Sequence, residues 1–364
     1  MSFKSLLTDK KIYQYHSWLG IIGGIFLFLI ALSGTILSFG DEIDGLLNGD
    51  VVSVKAEGNA KNLDEITATL NQKYPEAKIL NLRIYKEEDD KSIRAEVLEN
   101  KEVKWVYVNP YTAQIIGEKN KESAFIRVVF EFHEHLLLGF TGDLVLLIIG
   151  FCFLGSTITG FIYYRKSLFQ VFKVGVRFGK NSQIVNADLH KLLGVSALLF
   201  MFVMSATGIF FHFERVERGL GRMFAEKKED NGSGKQEKVE EKLAAFSVQK
   251  FAQLAQEKVN GFEIGFIRFP QKANDKLSFR GNRPESRAIL GKFATTIDFD
   301  VNTNKSTIFH AEDADKEYKM EHIFEELHFG RFGGKITKTI YFLGGLAVVI
   351  MVITGYIIWL RNRK

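Results

Sequence analysis

Hydrophobic and polar positions are sorted along this chain into long blocks. Four stretches carry no Asp, Glu, Lys or Arg: Ser17–Gly40, Leu144–Tyr164, Leu192–Phe213 and Thr339–Leu360, each of 21 to 24 residues. A helix rising about 1.5 Å per residue needs about 20 apolar residues to cross about 30 Å of hydrocarbon. The pattern therefore predicts four membrane spans. Between the first and second, and again between the third and fourth, polarity alternates on shorter periods. Leu63, Ile66, Leu70 and Tyr74 fall near helical spacing, which predicts a helix from Asn62 stopped by Pro75. The alternating stretches Ile79–Tyr85, Ile93–Leu98 and Val103–Val108, then a turn at Asn109-Pro110, predict a meandering sheet. The later segment repeats the order, with a helix around Phe246–Val259 and strands near Phe262–Phe269 and Lys292–Phe299. A charged, low-complexity stretch from Glu226 to Lys242 predicts a flexible connector. Its Gly234-Lys235 lacks the glycine spacing and the strand–helix context of a phosphate loop.

Each apolar stretch is preceded by one histidine at a fixed distance from a small dipeptide. His16-x-x-Leu-Gly20 leads to Ser33-Gly34, and His190-x-x-Leu-Gly194 leads to Thr207-Gly208, 18 positions from histidine to last glycine in both cases. His133 leads through Gly139 to Thr159-Gly160, and His328 through Gly334 to Thr354-Gly355, 27 positions in both cases. Equal spacing at several points predicts a tandem duplication. The expected architecture is an integral membrane α-helical protein of four transmembrane helices in two parallel repeats, with two exported α+β modules. The expected divisions are a tail and first span at 1–40, a module at 41–132 and a second span with its histidine at 133–165. A loop at 166–191, a span at 192–213, a module at 214–327 and a span with tail at 328–364 complete the chain.

Charge adds direction. Residues 1–16, 165–191 and the tail beyond Leu360 together hold 12 basic and 2 acidic residues, while the rest holds 36 and 41. The positive-inside rule puts both termini and the middle loop in the cytoplasm. The formal net charge of +5 is then a topology signal; no basic patch predicts a nucleic-acid partner. The first span is too long for a signal-peptide apolar region and no small-x-small site follows it, so it is expected to remain as an anchor. Cys152, the single cysteine, excludes an intrachain disulfide, a Cys-rich iron–sulfur site and C-x-x-C-H haem attachment. It is expected to be a small packing residue.

With this topology His16 and His190 lie at the cytoplasmic edge, and His133 and His328 at the outer edge. The twofold axis would face the members of each pair towards one another. A lone zinc takes four ligands and suits a two-histidine site badly. Two axial imidazoles in an apolar slot suit a b-type haem, so two b-type haems are expected, one at each edge. Gly34 and Gly208 are expected near the outer haem and Gly160 and Gly355 near the inner one, where they permit close approach or serve helix packing. His135, two positions from His133, is an alternative outer ligand. His212 is expected beside the outer site, and His310 and His322 are expected to do nothing specific.

These residues resemble the PepSY-associated transmembrane helix family, which includes iron-regulated membrane proteins and ferric-siderophore reductases. The resemblance rests on the four His/Ser/Thr-Gly sets, on Leu189-His190, on Leu327-His328 with Trp359, and on the run from Tyr107 through Asn109-Pro110 to Gly117, which looks like the closing hairpin of a PepSY module. It covers nearly the whole chain. The second module departs from the pattern, since Asp298–Asn304 lacks the closing glycine. The resemblance implies a di-haem protein of the bacterial inner membrane that passes electrons outward to periplasmic ferric siderophores or other ferric chelates. With no dinucleotide motif, the donor is expected to be a separate quinol or cytoplasmic reductase. Two rival readings remain: a membrane-anchored PepSY protein that binds a peptide or protease without redox activity, and a cytochrome b serving another periplasmic reductase.

Overall fold

Apolar blocks and capping residues set the element boundaries. The computed structural model describes residues 8–85, 90–225, 246–272 and 274–361; the expected connector at Glu226–Lys242 lies outside the described residues. Among the described residues the elements are α1 (Asp9–Leu37), α2 (Gly40–Leu47), α3 (Gly49–Val52) and α4 (Leu63–Lys73), then β1 (Lys78–Arg83), β2 (Ile93–Glu99), β3 (Glu102–Val108) and β4 (Ile115–Asn120). Next come α5 (Phe125–His135), α6 (Phe140–Tyr164), α7 (Leu168–Val174), α8 (Ser182–Ser196) and α9 (Leu198–Ala225). The last part holds α10 (Val248–Lys258), β5 (Glu263–Arg268), β6 (Leu277–Asn282), β7 (Thr295–Phe299), β8 (Ser306–His310), α11 (Lys316–Phe329) and α12 (Gly334–Arg361). Side chains close the helix starts: Asn62 accepts from the Glu65 N–H at 2.8 Å, Asn181 from Ile184 at 3.0 Å and Ser247 from Lys250 at 3.0 Å.

The described chain divides into two units. The first contains residues 8–39, 129–225 and 327–361. Its α1, α6, α9 and α12 are long and apolar enough to cross a membrane, so the chain is a membrane protein with four transmembrane helices. Within this unit α1 packs between α6 and α12, α9 packs on α6, and α8 packs on α12. Cys152 fills a seam, since a methyl group at Gly23 would lie 3.2 Å from its Cβ. The third apolar stretch departs from the expected single span at 192–213. Its helix bends at Ala197 (φ −95°, ψ 9°), where α8 meets α9, yet Ala197 N–H still bonds to Leu193 C=O at 2.8 Å. Helix α9 then runs on past Phe213 to Ala225, because no proline removes a backbone donor there.

The second unit contains residues 40–128 and 246–326, as far as they are described, and is built on one antiparallel sheet. The strand order is β4-β3-β2-β1-β5-β6-β7-β8, so the two segments meet at the β1–β5 pair. Two separate sheets were the expectation. The difference lies in the two inner strands, each of which pairs with the other instead of ending as an open edge. One face carries an unbroken row of Val106, Ala95, Leu82, Ile267, Phe279 and Ile297, all fully buried under α4 and α10. The helices clasp each other at their starts. Asp64 accepts from Ser247 Oγ at 2.5 Å and Gln249 N–H at 3.0 Å, while Gln249 Oε1 accepts from Leu63 N–H at 2.9 Å.

Candidate functional site

The four histidines lie on four different helices of the membrane unit: His16 on α1, His133 on α5, His190 on α8 and His328 on α11. Three of the four therefore sit on helices that precede a spanning helix. His16 and His190 face each other with ring centres 6.1 Å apart, and His133 and His328 with ring centres 6.3 Å apart.

Each imidazole is held through Nδ1. His16 Nδ1 is 2.9 Å from the Ser156 carbonyl, His133 Nδ1 is 3.0 Å from that of Ile30, and His190 Nδ1 is 3.0 Å from that of Met351. Each of those carbonyls belongs to the residue four before one of the conserved-spacing glycines, Gly160, Gly34 and Gly355. A carbonyl only accepts, so Nδ1 carries the proton and the lone pair of the neutral ring is on Nε2. Hydroxyls complete the grip: Ser156 at 3.2 Å from His16, Ser33 at 3.0 Å from His133 and Thr354 at 3.1 Å from His190. For His328 the Thr207 hydroxyl stands 2.8 Å from Nδ1 while directing its own proton to the Val203 carbonyl at 2.7 Å, which again makes Nδ1 the donor.

The glycines give these rings room. A methyl at Gly34 would lie 2.8 Å from Cε1 of His133, one at Gly160 3.1 Å from Cε1 of His16, and one at Gly355 3.3 Å from Cε1 of His190; at Gly208 the distance to His328 is a comfortable 3.9 Å. The expectation left the glycines to the close approach of a porphyrin or to helix packing; in the structure an imidazole lies against each of them. The arrangement is reciprocal. Helix α1 presents His16 to α6 and receives His133 beside Gly34, and the α8–α9 segment presents His190 to α12 and receives His328 beside Gly208.

The donor set can be tested against a haem. An imidazole nitrogen sits about 2.0–2.1 Å from a first-row metal, and the ring centre about 1.1 Å further on, so two rings on opposite sides of one ion have centres about 6.3 Å apart. The observed 6.1 and 6.3 Å match that spacing. Among the described residues neither pair gains a third His, Cys, Asp or Glu donor, which disfavours a bare ion and suits a macrocycle bringing four nitrogens of its own. The His16–His190 pair opens on an apolar cavity of about 250 Å³, whose walls include Phe153, Leu198 and Val348. The residues present fit the group.

Beside the second pair lies a polar network that sequence reasoning missed. Asp143, buried on the first turn of α6, takes both His135 Nδ1 and His212 Nδ1 at 3.1 Å on one oxygen. Arg215 joins it, with Nη1 3.2 Å from His135 Nε2 and Nη2 on Glu134. His135 is thus placed in this network, while His133 faces His328. Asp143 sits one residue outside the charge-free stretch that opens at Leu144, and that position was the signal available. His310 bonds to Thr295 Oγ1 at 3.0 Å, and His322 stacks on Tyr318 with ring centres 3.9 Å apart. On the stretch before His190, Arg177 grips Asp188 with two bonds of 2.8 Å and holds its carboxyl below the usual range. That pair anchors α8 at the start of its site-bearing turn.

The family model described as the PepSY-associated TM region matches residues 13–362. No curated protein matches the chain.

Proposed function

The chain belongs to the PepSY-associated TM region family, and from that premise we propose that it is a di-haem b oxidoreductase of the bacterial inner membrane. Its proposed acceptor is a ferric siderophore or other ferric chelate on the periplasmic side. The observation that supports this best is the pair of two-imidazole sites, with ring centres 6.1 and 6.3 Å apart, each with Nδ1 tied to the protein and each without a third protein ligand among the described residues. Bound haem would supply a one-electron carrier at each site.

The residues do the rest by orientation. Hydrogen bonds at Nδ1 fix tautomer and ring plane and raise the basicity of Nε2, the usual service of a partner behind a ligating histidine. With both imidazoles committed at each site, the chelate is expected to dock on exported residues rather than at a haem. A ferric chelate is a suitable acceptor because one electron weakens an oxygen-ligand cage built for a hard trivalent ion. The 12:2 charge bias supports cytoplasmic termini and exported modules. A separate donor, a quinol or a cytoplasmic reductase, completes the path.

Purified protein is expected to carry two b-type haems with low-spin spectra. His16→Ala or His190→Ala should alter one, and His133→Ala or His328→Ala the other. Dithionite-reduced protein should be reoxidised by ferric chelates, and His328→Ala should stop that reoxidation. Protein without haem, made with ample haem supply, would overturn the redox reading in favour of a binding role. Reoxidation by quinone but by no ferric chelate would leave a cytochrome serving another reductase.

A further inference from the structure

The face of the sheet opposite α4 and α10 carries a second unbroken row. Residues paired directly across neighbouring strands share a face, and the register runs Arg94–Arg83–Phe266–Arg280–Thr296–Phe309 across β2, β1, β5, β6, β7 and β8. Arg83 and Arg94 are thus directly opposed, an arrangement of like charges that costs stability on its own. Each guanidinium lies by an aromatic ring: Arg94 is 4.2 Å from the Trp105 centroid, Arg83 4.9 Å from Tyr85 and Arg280 6.0 Å from Phe266. Such stacking orders the planar donor fork before any ligand arrives.

The row's own carboxylates do not balance it. Asp41 reaches Arg83 at 3.7 Å, but among the described residues Arg94 and Arg280 form no ion pair with a carboxylate. Nε of Arg280 is buried and has no hydrogen-bond partner among the described residues. An orphaned donor on a cation is costly, and because the Arg280 side chain as a whole is partly exposed, an anion can meet its charge from solvent. In the next row Glu96 is engaged by Asn81, Trp105 and Lys121, and Asp298 by Ser278, so neither is available to the row.

We propose that this row of Arg94, Arg83 and Arg280, with Phe266 between the last two and Phe309 at its end, is the docking face for an anionic ferric chelate with aromatic, catecholate-type ligands. Charge complementarity selects the anion, and the aromatic cluster of Phe266 with Phe293 (ring centres 6.2 Å apart) and Phe309 with Tyr318 (4.9 Å) favours a ligand that brings rings of its own. The inference rests on the proposed function for the identity of the metal; the binding itself does not.

The test uses the full-length protein in detergent and a redox-inert probe, the trianionic gallium(III) tris-catecholate complex, with the neutral gallium(III) tris-acetohydroxamate complex for comparison. Equilibrium dialysis should show the trianion bound at least about tenfold more tightly than the neutral complex. Arg83→Gln and Arg280→Gln, both partly exposed and so tolerable to the fold, should each weaken it by about tenfold, as expected for one charge-assisted contact. Lys305→Gln, in the turn between β7 and β8, should leave it unchanged. Wild-type binding by both arginine variants, equal binding of the neutral complex, or an equal loss with Lys305→Gln would overturn the proposal. Haem absorbance of the same preparations separates the two readings: chelate binding can fail with both haems in place, and can persist in protein that holds none.

Discussion

At the scale of single residues, the histidines and glycines were legible because their spacing repeats, while what holds the rings was not. The acceptors for His16, His133 and His190 are backbone carbonyls of Ser156, Ile30 and Met351, and a carbonyl has no letter of its own. Nor did the pattern foretell that His16 takes its hydroxyl from Ser156, whereas Thr159 of the small dipeptide turns back to the Gly155 carbonyl at 2.6 Å. The glycine contacts give a prediction that a general packing role would not. A methyl at Gly34 would press to 2.8 Å on His133, against 3.9 Å between Gly208 and His328. Overpacking of that kind costs about 1–3 kcal/mol. Gly34→Ala should therefore lower the melting temperature and, on the proposed function, turn the haem at His133–His328 partly high-spin. Gly208→Ala should leave both properties close to wild type. Equal effects of the two changes on melting and spectrum would detach the glycines from the imidazoles.

At the scale of elements, strong periodicity was read correctly and weak periodicity was passed over. Helix α4 and strands β1 to β3 stand where alternation and Pro75 put them, to within two residues. Strands β6 and β8 were missed, and β4 was expected only as the second arm of the hairpin that runs from Tyr107 to Gly117. Strand β4 reads Ile-Ile-Gly-Glu-Lys-Asn and lies at an edge, where one side needs no apolar face; β6 carries Gly281, which has no side chain to pack; β8 is the other edge, with Ile308 and Phe309 exposed. The β2–β3 region also yields a pH prediction. Burial alone would push Glu96 up, yet hydrogen bonds from Asn81 and Trp105 and the charge and hydrogen bond of Lys121 hold its carboxyl below the ordinary range. A carboxyl lowered in the folded state stabilises the fold above its unfolded pKa and loses that contribution as pH falls through the folded value. Hydrogen exchange in β2 and β3 should thus speed up as pH is lowered below the ordinary glutamate range, after correction for intrinsic exchange. Glu96→Gln should cost roughly 1 kcal/mol near neutrality and flatten that dependence. An unchanged acid slope in the variant would assign it to other carboxyls.

At the scale of the whole molecule, the charge-free blocks announced four crossings, but the joining of the two segments between them into one sheet was invisible. Nothing in the strand sequences says whether β1 ends at solvent or at β5, because a partner strand of either origin satisfies the same backbone groups. The join constrains topology in return. Residues 40–128 follow α1 and residues 246–326 follow α9, and the β1–β5 register requires both on one side of the membrane. Helices α6 and α9 must then both cross or both fail to, and their length and apolarity make crossing the answer. Which side carries the sheet is left to charge. On the proposed function, the positive-inside rule applied to the 12 basic against 2 acidic residues of the termini and middle loop expects those segments in the cytoplasm and the sheet outside. With Cys152 replaced, a cysteine at Glu57 should react with an impermeant maleimide in intact spheroplasts, and one at Lys173 only after lysis. A neutral substitution of several loop lysines should weaken this bias without altering the β1–β5 join, since the join fixes only that both segments share a side. Labelling of Lys173 from outside and of Glu57 only after lysis would invert the chain, put the sheet in the cytoplasm, and end the case for a periplasmic ferric acceptor.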